Sequence, residues 1–155
     1  MKHKPAKLNP EINPKPNLYL VGFMGTGKSA LGRRLAKRLS MRFLDSDEEI
    51  EKKCGMKVRE IFEKLGESRF REMEREFMES GHPESGCVVS CGGGLVCSEG
   101  RPELVKRRGV SIALFAPAET VYKRVAGSGK RPLLNVENPL EKIRDLMQKR
   151  MPFYL

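Results

Sequence analysis

Leu18-Tyr19-Leu20-Val21-Gly22-Phe23-Met24-Gly25-Thr26-Gly27-Lys28-Ser29 sets the architecture of the whole chain. Its first four residues are an apolar run that stops at a glycine, as a central strand of a parallel sheet does. Residues 22–29 then match G-x-x-x-x-G-K-[ST]. Glycines at these positions admit backbone angles closed to other residues, so successive N–H groups converge on phosphate oxygens. A helix opening near Lys28 adds the positive end of its dipole. The Lys28 ammonium can reach the β and γ phosphates of a nucleotide, and the Ser29 hydroxyl can ligate Mg²⁺. Average residue frequencies give such a match by chance about once in 200 chains of this length. The flanking strand and helix make chance rarer still. The stretch therefore implies a loop that cradles the phosphates of ATP.

Beyond this loop, strand and helix alternate. A helix is expected over 28–39, with Ala30, Leu31, Leu35, Ala36 and Leu39 as its apolar stripe and Arg33, Arg34, Lys37 and Arg38 on its wet face. Arg42-Phe43-Leu44 reads as a second strand ending at Asp45, after which Ser46 caps a helix whose first turn is acidic. Residues 57–65 and 67–80 read as two helices broken at Gly66. Cys87-Val88-Val89-Ser90-Cys91 is a third strand, stopped by Gly92-Gly93-Gly94. A helix near 101–108, a fourth strand over 110–115 and a helix opening at Pro117 follow. The Gly- and Pro-bearing segment 127–138 reads as a loop, and a last helix runs from about Pro139 to about Arg150. This alternation defines an α/β fold with a parallel sheet. A length of 155 residues fits one domain over 17–155, with a helical insertion between strands at about 46–80. Residues 1–16 are basic and Pro-rich without an apolar core, and are read as a flexible leader rather than a secretory signal.

The net charge of +10 is scattered without a long basic run, and 7 Phe, 3 Tyr and no Trp leave few platforms for stacking bases. Anionic metabolites fit this balance better than nucleic acid. No apolar run approaches the roughly 20 residues needed to cross a bilayer, so no membrane partner is expected. Cys54, Cys87, Cys91 and Cys97 form no C-x-x-C pair, and only His3 and His82 could supplement them. Reduced thiols of a cytoplasmic protein are expected, not a zinc site.

Four further constellations each have a plain and a functional reading. Asp45 and Asp47 either cap a helix or face the phosphates from the carboxyl end of a strand, Asp45 towards Mg²⁺ and Asp47 towards an acceptor hydroxyl. Gly92-Gly93-Gly94 is either a turn or a place where backbone N–H groups meet a ligand. Arg71 and Glu74 are either an i,i+3 ion pair or a carboxylate-binding arginine with its orienting partner. Arg131 and Arg150 are either surface charge or, for Arg131, a group that closes over the transferring phosphate from a lid at about 127–138.

Together these segments resemble shikimate kinase. The resemblance runs from Leu18 to Tyr154. It is carried by the phosphate loop, D-S-D at 45–47, G-E-x-x-F-R at 66–71, G-G-G at 92–94, R-P-L-L at 131–134 and the Arg150–Tyr154 pair. It implies a three-layer P-loop kinase sandwich similar to nucleoside monophosphate kinases, with a parallel sheet of order 2-3-1-4-5. The family usually continues past the Arg150–Tyr154 region with one more strand and helix, so a sheet of four strands with the fifth absent is expected here. The implied activity is transfer of the γ-phosphoryl group of ATP to the 3-hydroxyl of shikimate, on the pathway to chorismate and aromatic amino acids. Lys28, Asp47 and Arg131 would be catalytic, Asp47 as candidate base. Gly25, Thr26, Gly27, Lys28, Ser29, Ala30, Arg124 and Arg131 would hold ATP, with Arg124 stacked on adenine. Arg71 and Arg150 would grip the shikimate carboxylate, Asp47 its hydroxyls, and Gly93 and Gly94 would offer backbone N–H groups. Ser29 and, through water, Asp45 would hold Mg²⁺. A monomer is expected. A gluconate-type kinase and a non-catalytic nucleotide-binding protein are the alternatives.

Overall fold

The computed structural model describes residues 15–126 and 136–155. Strands β1 (Asn17–Gly22), β2 (Arg42–Asp45), β3 (Cys87–Ser90) and β4 (Gly109–Leu114) form one sheet in the order β2-β3-β1-β4, with every pairing parallel. These are the first four places of the expected order, and the described residues contain no fifth strand. Helices α1 (Lys28–Leu39), α2 (Ser46–Cys54), α3 (Val58–Leu65), α4 (Glu67–Ser80), α5 (Arg101–Arg108), α6 (Ala118–Val125) and α7 (Pro139–Tyr154) complete it.

Both sheet faces are covered, which is why the strands are apolar at consecutive positions. Leu20 and Val88 point to one face and join Ala36 of α1, with Phe43 and Ile112 packed against them. Tyr19, Val21, Leu44 and Val89 point to the other, where Phe77 and Met78 of α4, Val105 of α5 and Ile143 of α7 enclose them. The register then brings the functional loops together. Ser90 aligns with Leu20 of β1 and with Asp45 of β2, so three strands finish along one edge. The phosphate loop, the D-S-D segment and the glycine triplet leave from that edge into a common crevice.

Two helices depart from expectation. The stripe of α1 is not the apolar one. Lys28, Gly32 and Ala36 are its buried residues, while Ala30 and Leu31 are exposed. Lys28 must point back under the phosphate loop, and this fixes the rotation of the helix. Gly32 follows one turn later, so close to β2 that an added methyl would stand 2.7 Å from the Phe43 ring. Helix α7 does not stop near Arg150 but continues through Pro152 to Tyr154. Proline removes one helical hydrogen bond. Burial of Tyr154 one turn beyond the buried Arg150 holds the last turn in place.

Of the expected leader, Lys15 accepts a hydrogen bond from Gly86 N at 2.7 Å and Pro16 bridges Ser85. Its residues 1–14 lie outside the described residues, as do 127–135 of the expected lid, Arg131 among them.

Candidate active site

The phosphate loop is closed by Thr26, whose hydroxyl donates to Phe23 O at 2.7 Å. Gly27 sits at φ 94°, a left-handed conformation that glycine adopts without strain, and hands the chain to α1 with no side-chain cap. Helix α1 thus presents first-turn N–H groups without a capping side chain, the arrangement that binds anions. Lys28 is 8% exposed, and its ammonium donates to Gly22 O and Phe23 O, each at 2.8 Å. The charge is therefore aimed at the loop before a phosphate arrives. Arg124, on α6, reaches across to donate to Gly25 O at 2.8 Å.

Ser29 and Asp45 meet beside this loop. Ser29 Oγ donates to Asp45 Oδ2 at 2.9 Å and lies 3.1 Å from Ser90 Oγ. A hydroxyl has one proton and a carboxylate has none, so Ser90 donates to Ser29. The other oxygen of Asp45 accepts from the Asp47 and Glu48 N–H groups at 3.0 and 3.3 Å. Asp45, not Ser46, is the cap of α2. Helix capping and an ion-facing role are therefore compatible, one oxygen serving each. Ser46 is fully buried and its hydroxyl accepts from Gly92 N at 2.8 Å, tying the D-S-D segment to the glycine triplet. The roles of Ser46 and Ser90 were not legible in the sequence, because each appears only when separate strand ends align.

A phosphate-side cavity of about 200 Å³ is lined by Gly25, Gly27, Lys28, Ser29 and Ala30. Next to it lies a cavity of about 580 Å³, a size suited to a small metabolite. Asp45, Asp47, Gly92, Gly93 and Met24 line both. Asp47 thus stands at the junction between a phosphate chain and whatever fills the larger space. Arg71 and Arg150 line the larger cavity as well.

Arg71 is held from three sides. Its Nη1 donates to Glu74 Oε2 at 2.8 Å, its Nη2 to Glu67 Oε1 at 3.2 Å, and its guanidinium lies over the Phe70 ring at 5.5 Å. The expected ion pair is present, and Arg71 lines the larger cavity as well. Burial pushes the Glu74 carboxyl up to about 7, against the pull of Arg71 and with repulsion from Asp47 adding to it. Arg150 is 8% exposed, with its guanidinium 5.6 Å from the Phe23 ring centre. One turn on, the Tyr154 hydroxyl donates to Gly93 O, to which the Cys97 thiol also donates at 3.6 Å.

The glycine triplet is explained by what stands against it. A methyl at Gly92 would lie 2.6 Å from Asp47 Oδ1 and 3.2 Å from Glu74 Oε1. At Gly94 it would lie 2.5 Å from Arg71 Nη1. The missing side chains are the room that the acidic and basic groups of the site occupy.

Among the described residues no group of three or more His, Cys, Asp or Glu side chains could hold a metal alone. Ser29 and Asp45 together suit an ion that takes few protein oxygens and completes its shell with phosphate oxygens and water, as Mg²⁺ does. All four cysteines are free thiols, as expected.

Fold and site together define a P-loop kinase for a small anionic acceptor. The family model described as shikimate kinase matches residues 24–155. The chain belongs to the shikimate kinase family. It is 46% identical over 138 residues to a shikimate kinase of Thermodesulfovibrio yellowstonii, covering 89% of this chain and 80% of that protein. The solved shikimate kinase of Acinetobacter baumannii, in complex with shikimate, is 44% identical and superposes with a TM-score of 0.87, over 90% of this chain and 78% of that one. A gluconokinase from Sinorhizobium meliloti shares the fold alone, at 12% identity and a TM-score of 0.54.

Proposed function

We infer that this protein transfers the γ-phosphoryl group of ATP to the 3-hydroxyl of shikimate. The observation that carries the reading is Asp47 in the lining common to a phosphate-side pocket and a cavity that two arginines also line. Shikimate has a ring carboxylate at one end and hydroxyls at the other, and such a molecule spans that cavity. Arg71 and Arg150 take the carboxylate, with the planar guanidinium of Arg71 suited to a bidentate contact. Gly93 and Gly94 offer backbone N–H groups along the ring. Asp47 accepts from the reacting hydroxyl and takes its proton as the phosphoryl group arrives.

Little covalent work falls to the protein in such a transfer, so positioning and charge neutralisation supply most of the catalysis. Lys28, the loop N–H groups and the start of α1 receive the phosphates, and Arg124 lies on the nucleotide side. Ser29 and Asp45 would hold Mg²⁺, which neutralises charge on the phosphate oxygens. Arg131 is assigned to the transferring group by family resemblance alone. One chain supplies all these residues, in keeping with a monomer, and free thiols with dependence on ATP are in keeping with the cytoplasm.

The test is ADP release coupled to an optical signal, with shikimate and with gluconate as acceptors. Release is expected with shikimate and only background with gluconate. The reverse preference would overturn the assignment.

A further inference from the structure

Arg101 opens α5, has no part in the chemistry above and does not line the acceptor cavity. It is nevertheless buried, 9% exposed, immediately behind the cavity wall. Its Nη2 donates to the backbone carbonyl of Arg71 at 2.6 Å, and its Nη1 donates to the carbonyl of Leu95 at 3.1 Å. The first carbonyl belongs to α4. The second belongs to Leu95, the residue whose N–H closes the glycine turn by donating to Gly92 O at 3.0 Å. Attraction to Glu74, the carboxylate that holds the Arg71 side chain, offsets part of the burial of the Arg101 charge.

The two elements joined in this way sit at a tight clearance. The Arg71 guanidinium lies where a methyl on Gly94 would be. A shift of a few tenths of an ångström between α4 and the triplet would move Arg71 relative to Gly93 and Gly94, the groups assigned to one acceptor. Few side chains can fix that spacing. Two carbonyls on separate elements need two donors at a set angle, which a planar guanidinium has and an ammonium lacks.

We propose that Arg101 is a positioning residue for acceptor recognition, clamping the backbone of α4 at Arg71 to the Gly92–Leu95 turn so that Arg71 and the glycine backbone meet the acceptor carboxylate together. The proposal rests on the assignment of Arg71 to that carboxylate.

The experiment compares Arg101→Met, Arg101→Lys, Arg71→Lys and the double variant Arg71→Lys/Arg101→Met, each shown to be folded by circular dichroism and assayed well below its Tm. Arg101→Met is expected to raise the shikimate KM by about tenfold or more, as loss of an outer-shell partner does, while the ATP KM stays within about twofold, since distant sites act independently. Arg101→Lys should fall between wild type and Arg101→Met, and it carries the same comparison should Arg101→Met fail to fold. Because Arg101 acts through Arg71, the double variant should bind shikimate no more than about twofold worse than Arg71→Lys alone. Equal rises in both KM values, or effects that multiply in the double variant, would reduce Arg101 to general packing and overturn the proposal. Should Arg71→Lys by itself leave the shikimate KM unchanged, the assignment of Arg71 fails and the proposal goes with it. That single variant separates the two failures.

Discussion

Gly94 shows how little slack the site has. Its neighbour is the guanidinium of Arg71, and nothing larger than hydrogen fits between them. Gly94→Ala should therefore displace Arg71 and raise the shikimate KM about tenfold, within the range of overpacking a fitted site, with ATP binding preserved. An unchanged shikimate KM would show that Arg71 can move aside harmlessly. Lys28 is the other extreme, a charge held under the loop by two backbone carbonyls. Lys28→Met should lower kcat by about 10³-fold or more, the scale of a lost transition-state contact. Near-normal turnover would remove the phosphate-loop assignment. The two aspartates separate by what each oxygen touches. Asp45 shares a hydrogen bond with Ser29, so Asp45→Asn should raise the Mg²⁺ concentration needed for half-maximal rate. Asp47→Asn should instead lower kcat and weaken shikimate binding, leaving Mg²⁺·ATP binding intact. Parallel titrations of Mg²⁺ and shikimate on both variants read the assignment directly, and crossed results would exchange the roles.

At the scale of elements, α7 carries the clearest forecast. Its last turn survives Pro152 because Tyr154 is buried and bonded to Gly93 O. Tyr154→Phe leaves that carbonyl with only the weak Cys97 thiol donor, so urea unfolding should show a loss of about 1 kcal/mol. The shikimate KM should rise along with it, because the glycine triplet loses a tether. A variant as stable and as active as wild type would mean that the bond contributes nothing. The same helix marks the boundary of what sequence could reveal. Strand β1, the phosphate loop and the acidic start of α2 were legible because each is a local pattern whose residues answer to neighbours in the chain. The rotation of α1 was not, because it follows from Lys28 folding under the loop and Gly32 touching Phe43, contacts that a helical periodicity does not contain. The cap of α2 was misjudged by one residue, since Ser46 has a stronger claim on it in Gly92 N, 46 residues away. Arg101 stayed hidden for the same reason: its partners are carbonyls, and every residue has one.

At the scale of the molecule, the core beneath the sheet contains one polar knot. Tyr19 OH lies 2.7 Å from His82 Nε2, His82 Nδ1 lies 2.8 Å from Phe77 O, and Asn17 donates to both Tyr19 OH and Pro83 O. A carbonyl only accepts, so Nδ1 carries a proton, and in the neutral imidazole Nε2 then accepts from tyrosine. Burial holds its pKa below the usual histidine value, with Arg108 adding to the effect and the Phe77 carbonyl opposing it. The unfolded chain therefore takes up the proton first. Stability from this group is complete above about pH 6.5 and is lost as pH falls towards the depressed folded value. Glu74, with its carboxyl raised, contributes the opposite slope in the same window. The difference between wild type and His82→Gln isolates the histidine. Urea midpoints at pH 7.5 and 5.5 should converge on acidification, and a constant gap would exclude the titration. One arrangement of the whole fold also bears on inhibition. The phosphate-side cavity and the larger cavity adjoin, with Met24, Asp45, Asp47, Gly92 and Gly93 lining both. A single compound carrying a ring carboxylate at one end and a phosphate mimic at the other needs only a very short tether to occupy both. It would gain the effective concentration of two linked ligands.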